Sequence, residues 1–148
     1  MARQRVSEGL FEAAFFDFGG VLTTPVWDSF ADFCRREGLD PDAIKRLFRE
    51  DPEALTLLRR LEIGSISEEE FESAFGAKLG LKNYDRLIDS MFAGMRPDEE
   101  MVSAVRDLRR AEIRTGLRSL SWSSQHYARD LSADLFELPA SHLLDAVV

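Results

Sequence analysis

The first apolar residues of the chain form a short continuous run that predicts a β-strand. The run is Ala13-Ala14-Phe15-Phe16-Asp17-Phe18, and Gly19 and Gly20 follow directly. An apolar run of this length that ends in glycines predicts a buried strand leading into a tight loop. Asp17 is the only charged residue of the run, and it lies where the strand is expected to meet the loop.

From Thr24 to about Gly94 the apolar residues recur at spacings of three and four, which predicts a block of helices. Helix start signals recur through this block, at Thr24-Pro25, Asp40-Pro41, Asp51-Pro52 and the capping-box sequence Ser67-Glu68-Glu69-Glu70. A fifth apolar run extends from Tyr84 to Phe92. The predicted helices have enough apolar faces to pack on one another as a small bundle.

After Pro97 the pattern becomes that of an alternating α/β protein. A helix is predicted around residues 101–108, a short strand over 113–117, a further helix from about Ser123, and the start of another strand at Ala146. The full order is therefore strand, helical block, helix, strand, helix and strand. Such an order predicts a parallel α/β core that carries a helical insert.

Composition and charge narrow the classes of function. The 148 residues include 19 basic and 27 acidic side chains, a net charge of −8, which argues against a nucleic-acid partner. No apolar run approaches the ~20 residues of a membrane-spanning helix, and residues 10–18 are too short and too charged for a signal peptide. The single cysteine, Cys34, excludes an internal disulfide and agrees with a reducing compartment. These features predict a cytoplasmic protein without nucleic-acid or membrane partners.

Asp17 is the first candidate for chemistry. Ligand sites of parallel sheets lie at the carboxyl ends of strands, and this is where the pattern places the Asp17 carboxylate. Gly19 and Gly20 would let backbone N–H groups approach an anion closely, because no Cβ stands in the way. The alternative is that Asp17 only caps the following turn, since Asp before glycine is common in loops. The spacing alone leaves both interpretations open.

Three segments of the chain resemble motifs of the haloacid dehalogenase-like hydrolases. Residues 15–23, FFDFGGVLT, resemble the first motif of that superfamily. Residues 63–71, IGSISEEEF, resemble the start of a helix in its helical cap, and residues 113–119, IRTGLRS, resemble its second motif. The chain is most similar to the short helical-cap branch, which is related to the phosphatase-like domain of epoxide hydrolases.

The resemblance implies a fold with two parts. Residues 1–23 and 95–148 would form a Rossmann-like core with a parallel sheet. Residues 24–94 would form an α-helical bundle that is inserted directly after the first motif as a cap. This agrees with the order of elements that the apolar pattern predicts.

The resemblance also implies a chemistry. Asp17 would be the nucleophile that takes up a phosphoryl group, and Ser119 would be a second catalytic residue that binds the phosphate. Further phosphate contacts would come from the backbone of Phe18, Gly19 and Leu120. Mg²⁺ would bind to the Asp17 carboxylate and the Gly19 carbonyl. The implied function is Mg²⁺-dependent hydrolysis of a small phosphorylated metabolite.

The sequence departs from the family pattern at several positions. Most phosphatases of the family carry a second Asp two residues after the nucleophile as general acid and base, whereas this chain has Gly19. The Ser-Asn of the second motif is Ser119-Leu120 here. The Lys of the third motif has no counterpart, because no Lys or Arg follows Arg129. The acidic residues of the fourth motif cannot be placed either.

These departures lead to further expectations. The core is expected to be C-terminally incomplete, as in a truncated protein, which would leave the strand at Phe15 as an exposed apolar edge through which copies associate. The alternative function is that of a catalytically inactive remnant acting as a binding module. A purely helical interaction protein is disfavoured because it leaves the Asp17 motif unexplained. Dehalogenation is disfavoured because no Arg that would hold the halide is identified near Asp17.

Two aromatic residues shortly after the Asp17 motif have two interpretations. Trp27 and Phe30 open the predicted cap, so they are candidates for the lining of a substrate entrance. Their helical spacing favours packing in the core of the cap. Cys34 has the same spacing and is interpreted as a small core residue of the cap.

Overall fold

The computed structural model describes residues 11–117 and the backbone of Ala146 and Val147. The elements in chain order are β1 Ala13–Phe16, α1 Val26–Arg36, α2 Ala43–Glu50, α3 Pro52–Glu62, α4 Glu68–Lys78, α5 Leu87–Phe92, α6 Glu99–Arg110, β2 Arg114–Leu117 and β3 Ala146–Val147. The helix predicted from about Ser123 lies outside the described residues. Among the described helices, none is both long and apolar enough to span a membrane.

The three described strands form one parallel sheet in the order β1-β2-β3. Ala13 pairs with Arg114 and Phe16 with Leu117, so β1 and β2 run in register and end side by side. Parallel neighbours need a crossover connection, and here the connection between β1 and β2 contains all six described helices. The predicted fold class, a parallel α/β core with an inserted helical bundle, is confirmed.

Helix α6 covers one face of this sheet. Its apolar side packs against the side chains that follow β1 and the end of β2, in a cluster of Phe18, Leu22, Val102, Val105 and Leu117 with Phe16 and Met101 at its border. The helix begins where Asp98 accepts a hydrogen bond from the Met101 N–H at 2.9 Å, which satisfies one of the free donors of the first turn. Residues 18 and 22 are thus buried by packing against a helix that lies about 80 residues later in the sequence.

The opposite face of β1 is exposed. Burial alternates along the strand, and Phe15 is 64% exposed, with its ring lying over Gly116 of the neighbouring strand. The apolar run predicts a buried strand, and this is wrong for Phe15, which lies on the face of β1 that α6 does not cover. Among the described strands β1 has a single neighbour, β2, which places it at an edge of the described sheet. Association of copies through this edge stays a prediction.

Helices α1 to α5 form a second apolar cluster. Its members come from all five helices and the loops that join them, and the largest fully buried ones are Ile44, Phe71, Phe75, Leu87, Met91 and Met95. Phe75 stacks on Phe48 and on Phe71, with ring centroids 4.9 and 5.0 Å apart. Cys34 is fully buried in this cluster, as its spacing predicts, and burial raises the pKa of its thiol. The predicted boundaries between core and cap stay a prediction.

Local capping explains where several of these helices begin. Asp51 accepts hydrogen bonds from the N–H groups of Glu53 and Ala54 at the start of α3. Ser67 and Glu70 form the predicted capping box, in which each side chain bonds the other residue's N–H, at 3.1 and 2.8 Å. These bonds to Ser67 lower the pKa of Glu70. The helix starts predicted from these two signals are confirmed.

Charged side chains connect helices that are separate in the sequence. Lys78 donates to Asp51 and to Glu53 at 2.8 Å each, which ties the end of α4 to the start of α3 and lowers the pKa of Asp51. Glu72 of α4 accepts from the Ile88 N–H of α5 at 2.9 Å. Burial raises the pKa of Glu72 despite this bond. The short helix α5 is thereby capped by a carboxylate from another helix.

Gly76 of α4 lies against Tyr84 in the loop that precedes α5, so replacing it by Ala should destabilise the helical cluster. A Cβ at this position would lie 2.4 Å from Cβ of Tyr84 and 2.8 Å from its Cγ, so the loop would have to move. Overpacking of this kind costs about 1–3 kcal/mol. The gain in helix propensity from glycine to alanine is about 1 kcal/mol. We expect Gly76→Ala to lower the free energy of unfolding in urea titrations by up to about 2 kcal/mol, because the clash outweighs the gain in helix propensity.

Ser73→Ala provides the matched control for this prediction, because Ser73 is an exposed position of the same helix. It is expected to change the free energy of unfolding by less than about 0.5 kcal/mol. A Gly76→Ala protein as stable as the native chain would show that the contact with Tyr84 is not tight.

Candidate active site

The Asp17 carboxylate lies directly after β1, at the carboxyl end of the strand. The side chain is exposed, and its Oδ1 accepts a hydrogen bond from the Phe18 N–H at 2.7 Å. The Phe18 side chain is buried against α6, which anchors the backbone next to Asp17. One carboxylate oxygen is therefore held by the backbone while the group remains open to solvent. This is the edge of a parallel sheet at which ligand sites occur.

The backbone after Asp17 folds into a tight turn, and we call residues 17–23 the Asp17 loop. The Phe18 carbonyl accepts from the N–H groups of Val21 and Leu22, at 3.3 and 3.0 Å. Gly20 has a φ of +76°, a backbone conformation that favours glycine. Its N–H donates to Oγ1 of Thr23 at 3.0 Å. Within residues 11–117 nothing accepts a hydrogen bond from the Gly19 N–H, which leaves this donor available to a ligand.

The chain crosses between the sheet and the helices α1–α5 at the end of the Asp17 loop. Residues 22–24 lead out and residues 96–98 lead back, and we call these two segments the crossing ribbon. They pair antiparallel at Thr23 and Pro97. The Thr24 N–H donates to the Arg96 carbonyl at 2.8 Å, and the Asp98 N–H donates to the Leu22 carbonyl at 2.9 Å. The helical insert is thus attached at the Asp17 loop itself.

The structure brings together one part of the predicted site. Asp17, Phe18 and Gly19 are consecutive residues of one turn, and β2 ends beside them because Leu117 pairs with Phe16. The predicted phosphate ligands Ser119 and Leu120 lie outside the described residues. Their roles stay predictions from the resemblance.

Sequence reasoning assigned no role to Thr23. Its side chain is buried, with 1% of its surface exposed, and the hydroxyl bonds the Gly20 N–H and the Thr24 carbonyl. The sequence signal for this role is a threonine three positions after a glycine, in a stretch that is buried in the structure. Ser and Thr hydroxyls commonly bond nearby backbone groups, so such a residue can close a turn. The pairing of Thr23 with Pro97 gave no local signal, because the two residues are far apart in the sequence.

The two aromatic candidates occupy different environments. Phe30 is buried and contacts the Phe92 ring edge-on, so its predicted packing in the helical cluster is confirmed. Trp27 is 47% exposed and contacts Phe30 and Phe48 with ring centroids 5.6 and 6.4 Å away. One part of the Trp27 ring system therefore packs against these aromatic residues, and another part is exposed to solvent. Its place at a substrate entrance stays a prediction.

The predicted Mg²⁺ ligands provide oxygen donors of the right type. The Asp17 carboxylate and the Gly19 carbonyl belong to the same turn, and the carboxylate is exposed. Mg²⁺ prefers oxygen ligands and commonly keeps several waters while binding one or two protein carboxylates and a substrate phosphate. In the stretch from residue 11 to 117 no cluster of three or more His, Cys, Asp or Glu side chains is arranged to hold a metal. The donors present fit a magnesium ion that is bound through few protein ligands.

Two solved structures are similar to this chain. L-2-haloacid dehalogenase from Xanthobacter autotrophicus, with chloropropionic acid covalently bound, matches 94% of the chain at 18% sequence identity and a TM-score of 0.60. A proposed phosphoglycolate phosphatase from Lactobacillus delbrueckii subsp. bulgaricus matches 93% at 15% identity and a TM-score of 0.45. The chain spans 56% of the dehalogenase and 64% of the second protein.

No protein-family model and no curated protein sequence matches the chain significantly. At 18% identity, the likeness to the dehalogenase bears on the architecture alone. The backbone arrangement of the dehalogenase is similar to that of this chain over 94% of the chain. The chain has the haloacid dehalogenase-like fold that its sequence motifs predict.

Proposed function

We propose that this protein is a hydrolase of the phosphatase type, which transfers the phosphoryl group of a small phosphorylated metabolite to Asp17 and then to water. The observation that carries the proposal is the exposed Asp17 carboxylate at the carboxyl end of β1, followed by a glycine turn with an available N–H at Gly19. The haloacid dehalogenase-like fold supports it, because the sequence motifs of that fold assign a nucleophile to this position.

The first step uses the oxygen of Asp17 that the loop leaves free. Oδ1 accepts from the Phe18 N–H, so Oδ2 is the oxygen expected to attack phosphorus. A bond forms between Oδ2 and phosphorus while the bond from phosphorus to the leaving oxygen breaks. Water then attacks phosphorus, the bond to Oδ2 breaks, and the products are inorganic phosphate and the original carboxylate. The leaving oxygen takes its proton from solvent, because position 19 carries no acidic side chain.

Hydrogen-bond donors would stabilise the charge on the transferring group. The Gly19 N–H is the donor that the Asp17 loop presents, and the resemblance adds the Ser119 hydroxyl and the Leu120 N–H. Donors fixed before the reaction stabilise the transition state more than water does, because they need no reorientation. The helices α1–α5 are attached beside this loop and would exclude water and select the substrate.

Mg²⁺ is the cofactor of the proposal. The Asp17 carboxylate and the Gly19 carbonyl would hold it, and the ion would neutralise charge on the phosphoryl oxygens. A cytoplasmic location and the absence of nucleic-acid partners are also part of the proposal, and they rest on composition.

Two other functions compete with this one. A non-catalytic binding module is favoured by Gly19, which removes the usual acid and base while leaving the backbone donors in place. The structural likeness to a protein that bears covalently bound chloropropionic acid makes dehalogenation the second alternative. Both alternatives predict that phosphate esters are not hydrolysed.

Release of phosphate from p-nitrophenyl phosphate by the full chain separates the three functions. We expect turnover with millimolar Mg²⁺, a loss of at least about tenfold in excess EDTA, and recovery when Mg²⁺ is restored. Chloride release from 2-chloropropionate should stay at background in parallel samples. Chloride release without phosphate release would establish dehalogenation instead, and a folded protein that shows neither reaction would support the binding module.

A further inference from the structure

The Thr23 hydroxyl is buried and makes two hydrogen bonds to nearby backbone groups. It accepts from the Gly20 N–H at 3.0 Å and donates to the Thr24 carbonyl at 3.1 Å. Only 1% of the residue is exposed, so water does not compete for these bonds. The bond to Gly20 closes the turn at the residue with positive φ. The Gly20 N–H is thus directed at the Thr23 hydroxyl.

The backbone around Thr23 is fixed by the crossing ribbon. Thr23 pairs with Pro97, and the Thr24 N–H donates to the Arg96 carbonyl at 2.8 Å. The Arg96 N–H in turn donates to the Thr24 hydroxyl at 3.1 Å. The backbone that carries the Thr23 side chain is thus held by hydrogen bonds between the two segments of the crossing ribbon.

Three successive N–H groups follow Asp17, and the structure gives each a different role. The Phe18 N–H donates to Asp17 itself, and the Gly20 N–H donates to Thr23. Within residues 11–117 the Gly19 N–H has no acceptor. One donor of the three is thereby left for an incoming anion, and it is the one between the two anchored groups.

We propose that Thr23 is a positioning residue: its hydroxyl engages the Gly20 N–H and so holds the Asp17 loop in the shape that presents the Gly19 N–H to a phosphate group. The inference rests on the proposed function, because it names phosphate as the anion. Thr23 acts through the backbone of Gly19 and Gly20 and does not itself contact the substrate. Without the hydroxyl, the Gly20 N–H loses its partner and the turn loses the bond that closes it.

Titration of the full, ¹⁵N-labelled chain with inorganic phosphate in Mg²⁺ tests this proposal. The Gly19 amide resonance of the native chain is expected to shift on phosphate binding. Thr23→Val, which keeps the shape of the side chain, should weaken that binding about tenfold, as expected for the loss of one positioning hydrogen bond. Thr23→Ser keeps the hydroxyl and should stay within about twofold. Thr56→Val is the matched control, because it removes an exposed hydroxyl from α3.

Amide hydrogen exchange of the native chain adds a measurement that does not depend on any variant folding. The Gly20 amide should exchange at least about tenfold more slowly than the Gly19 amide, because of these two amides only that of Gly20 has an acceptor within residues 11–117. In the substrate assay Thr23→Val should lower kcat more than it raises KM, since the loop geometry matters most in the transition state.

Several results would overturn the inference. These are a Gly19 amide that does not respond to phosphate, Thr23→Val binding as tightly as the native chain, Thr23→Ser binding as weakly as Thr23→Val, and equal exchange at Gly19 and Gly20. A native chain that binds phosphate at Gly19 and loses it in Thr23→Val, yet hydrolyses no phosphate ester, would refute the proposed function and support the positioning role. Turnover that depends on Asp17 but not on Thr23 would support the proposed function and refute the positioning role.

Discussion

Replacing Asp17 by Asn is expected to lower turnover of p-nitrophenyl phosphate by at least about 1,000-fold. The amide has no anionic oxygen to attack phosphorus, so the covalent route is lost. Its side-chain oxygen can still accept from the Phe18 N–H, as Oδ1 of Asp17 does, so the loop should keep its shape. The position is exposed, and the free energy of unfolding should change by less than about 0.5 kcal/mol. Steady-state kinetics and urea unfolding of the same preparation measure both quantities.

Asp28→Asn is the matched control for this substitution. Asp28 is an exposed carboxylate in the first turn of α1, so the change in charge is the same while the Asp17 loop is untouched. Its turnover should stay within about twofold of the native value. An Asp17→Asn protein that retains a tenth or more of the native activity would contradict the assignment of Asp17 as nucleophile.

A carboxyl group introduced at position 19 should accelerate the hydrolysis of alkyl phosphates by about 100-fold, because general acid catalysis contributes about 10²–10⁴. The native chain has Gly19 where most phosphatases of the superfamily carry the acid, so it should hydrolyse glycerol phosphate slowly. p-Nitrophenolate leaves readily as an anion, and its ester should respond to Gly19→Asp by less than about threefold. Gly19 is half-buried and is not among the described glycines with positive φ, so its φ does not disfavour an L-residue.

Gly19→Asn separates acid catalysis from changes in shape. Asparagine has nearly the same size as aspartic acid but cannot donate a proton to the leaving group. The ratio of glycerol phosphate to p-nitrophenyl phosphate turnover should rise in Gly19→Asp and remain at the native value in Gly19→Asn. An equal rise in both variants, or an equal acceleration of both esters by Gly19→Asp, would show that the missing acid does not limit the native chain.

Features that depend on nearby residues could be predicted from the sequence. The capping box of Ser67 and Glu70 needs only the four residues that form it, and the structure contains both of its bonds. The cap at Asp51 is equally local. Asp17 could be placed at a strand end because the apolar run and the glycines adjoin it. In each case the interacting groups lie within a few residues of one another, so the pattern specifies the contact.

Features that depend on distant residues could not be predicted. Which face of β1 is exposed follows from the packing of α6 on the other face, and an apolar run does not encode this choice. Helix α5 begins at Leu87, and the N–H of Ile88 in its first turn is bonded by Glu72, 16 residues earlier on α4. The role of Thr23 depends on the pairing with Pro97 that holds its backbone. These contacts join residues that the sequence separates.

Phosphoryl transfer through Asp17 forms a covalent intermediate that can be trapped and detected. The full chain would be mixed with excess p-nitrophenyl phosphate and Mg²⁺, quenched in acid during turnover, digested and analysed by mass spectrometry. We expect the mass of one phosphoryl group on the peptide that contains Asp17, located on that residue by fragmentation and missing from the Asp17→Asn protein. Continued turnover with no phosphorylated Asp17, or with the phosphoryl group on another residue, would contradict it.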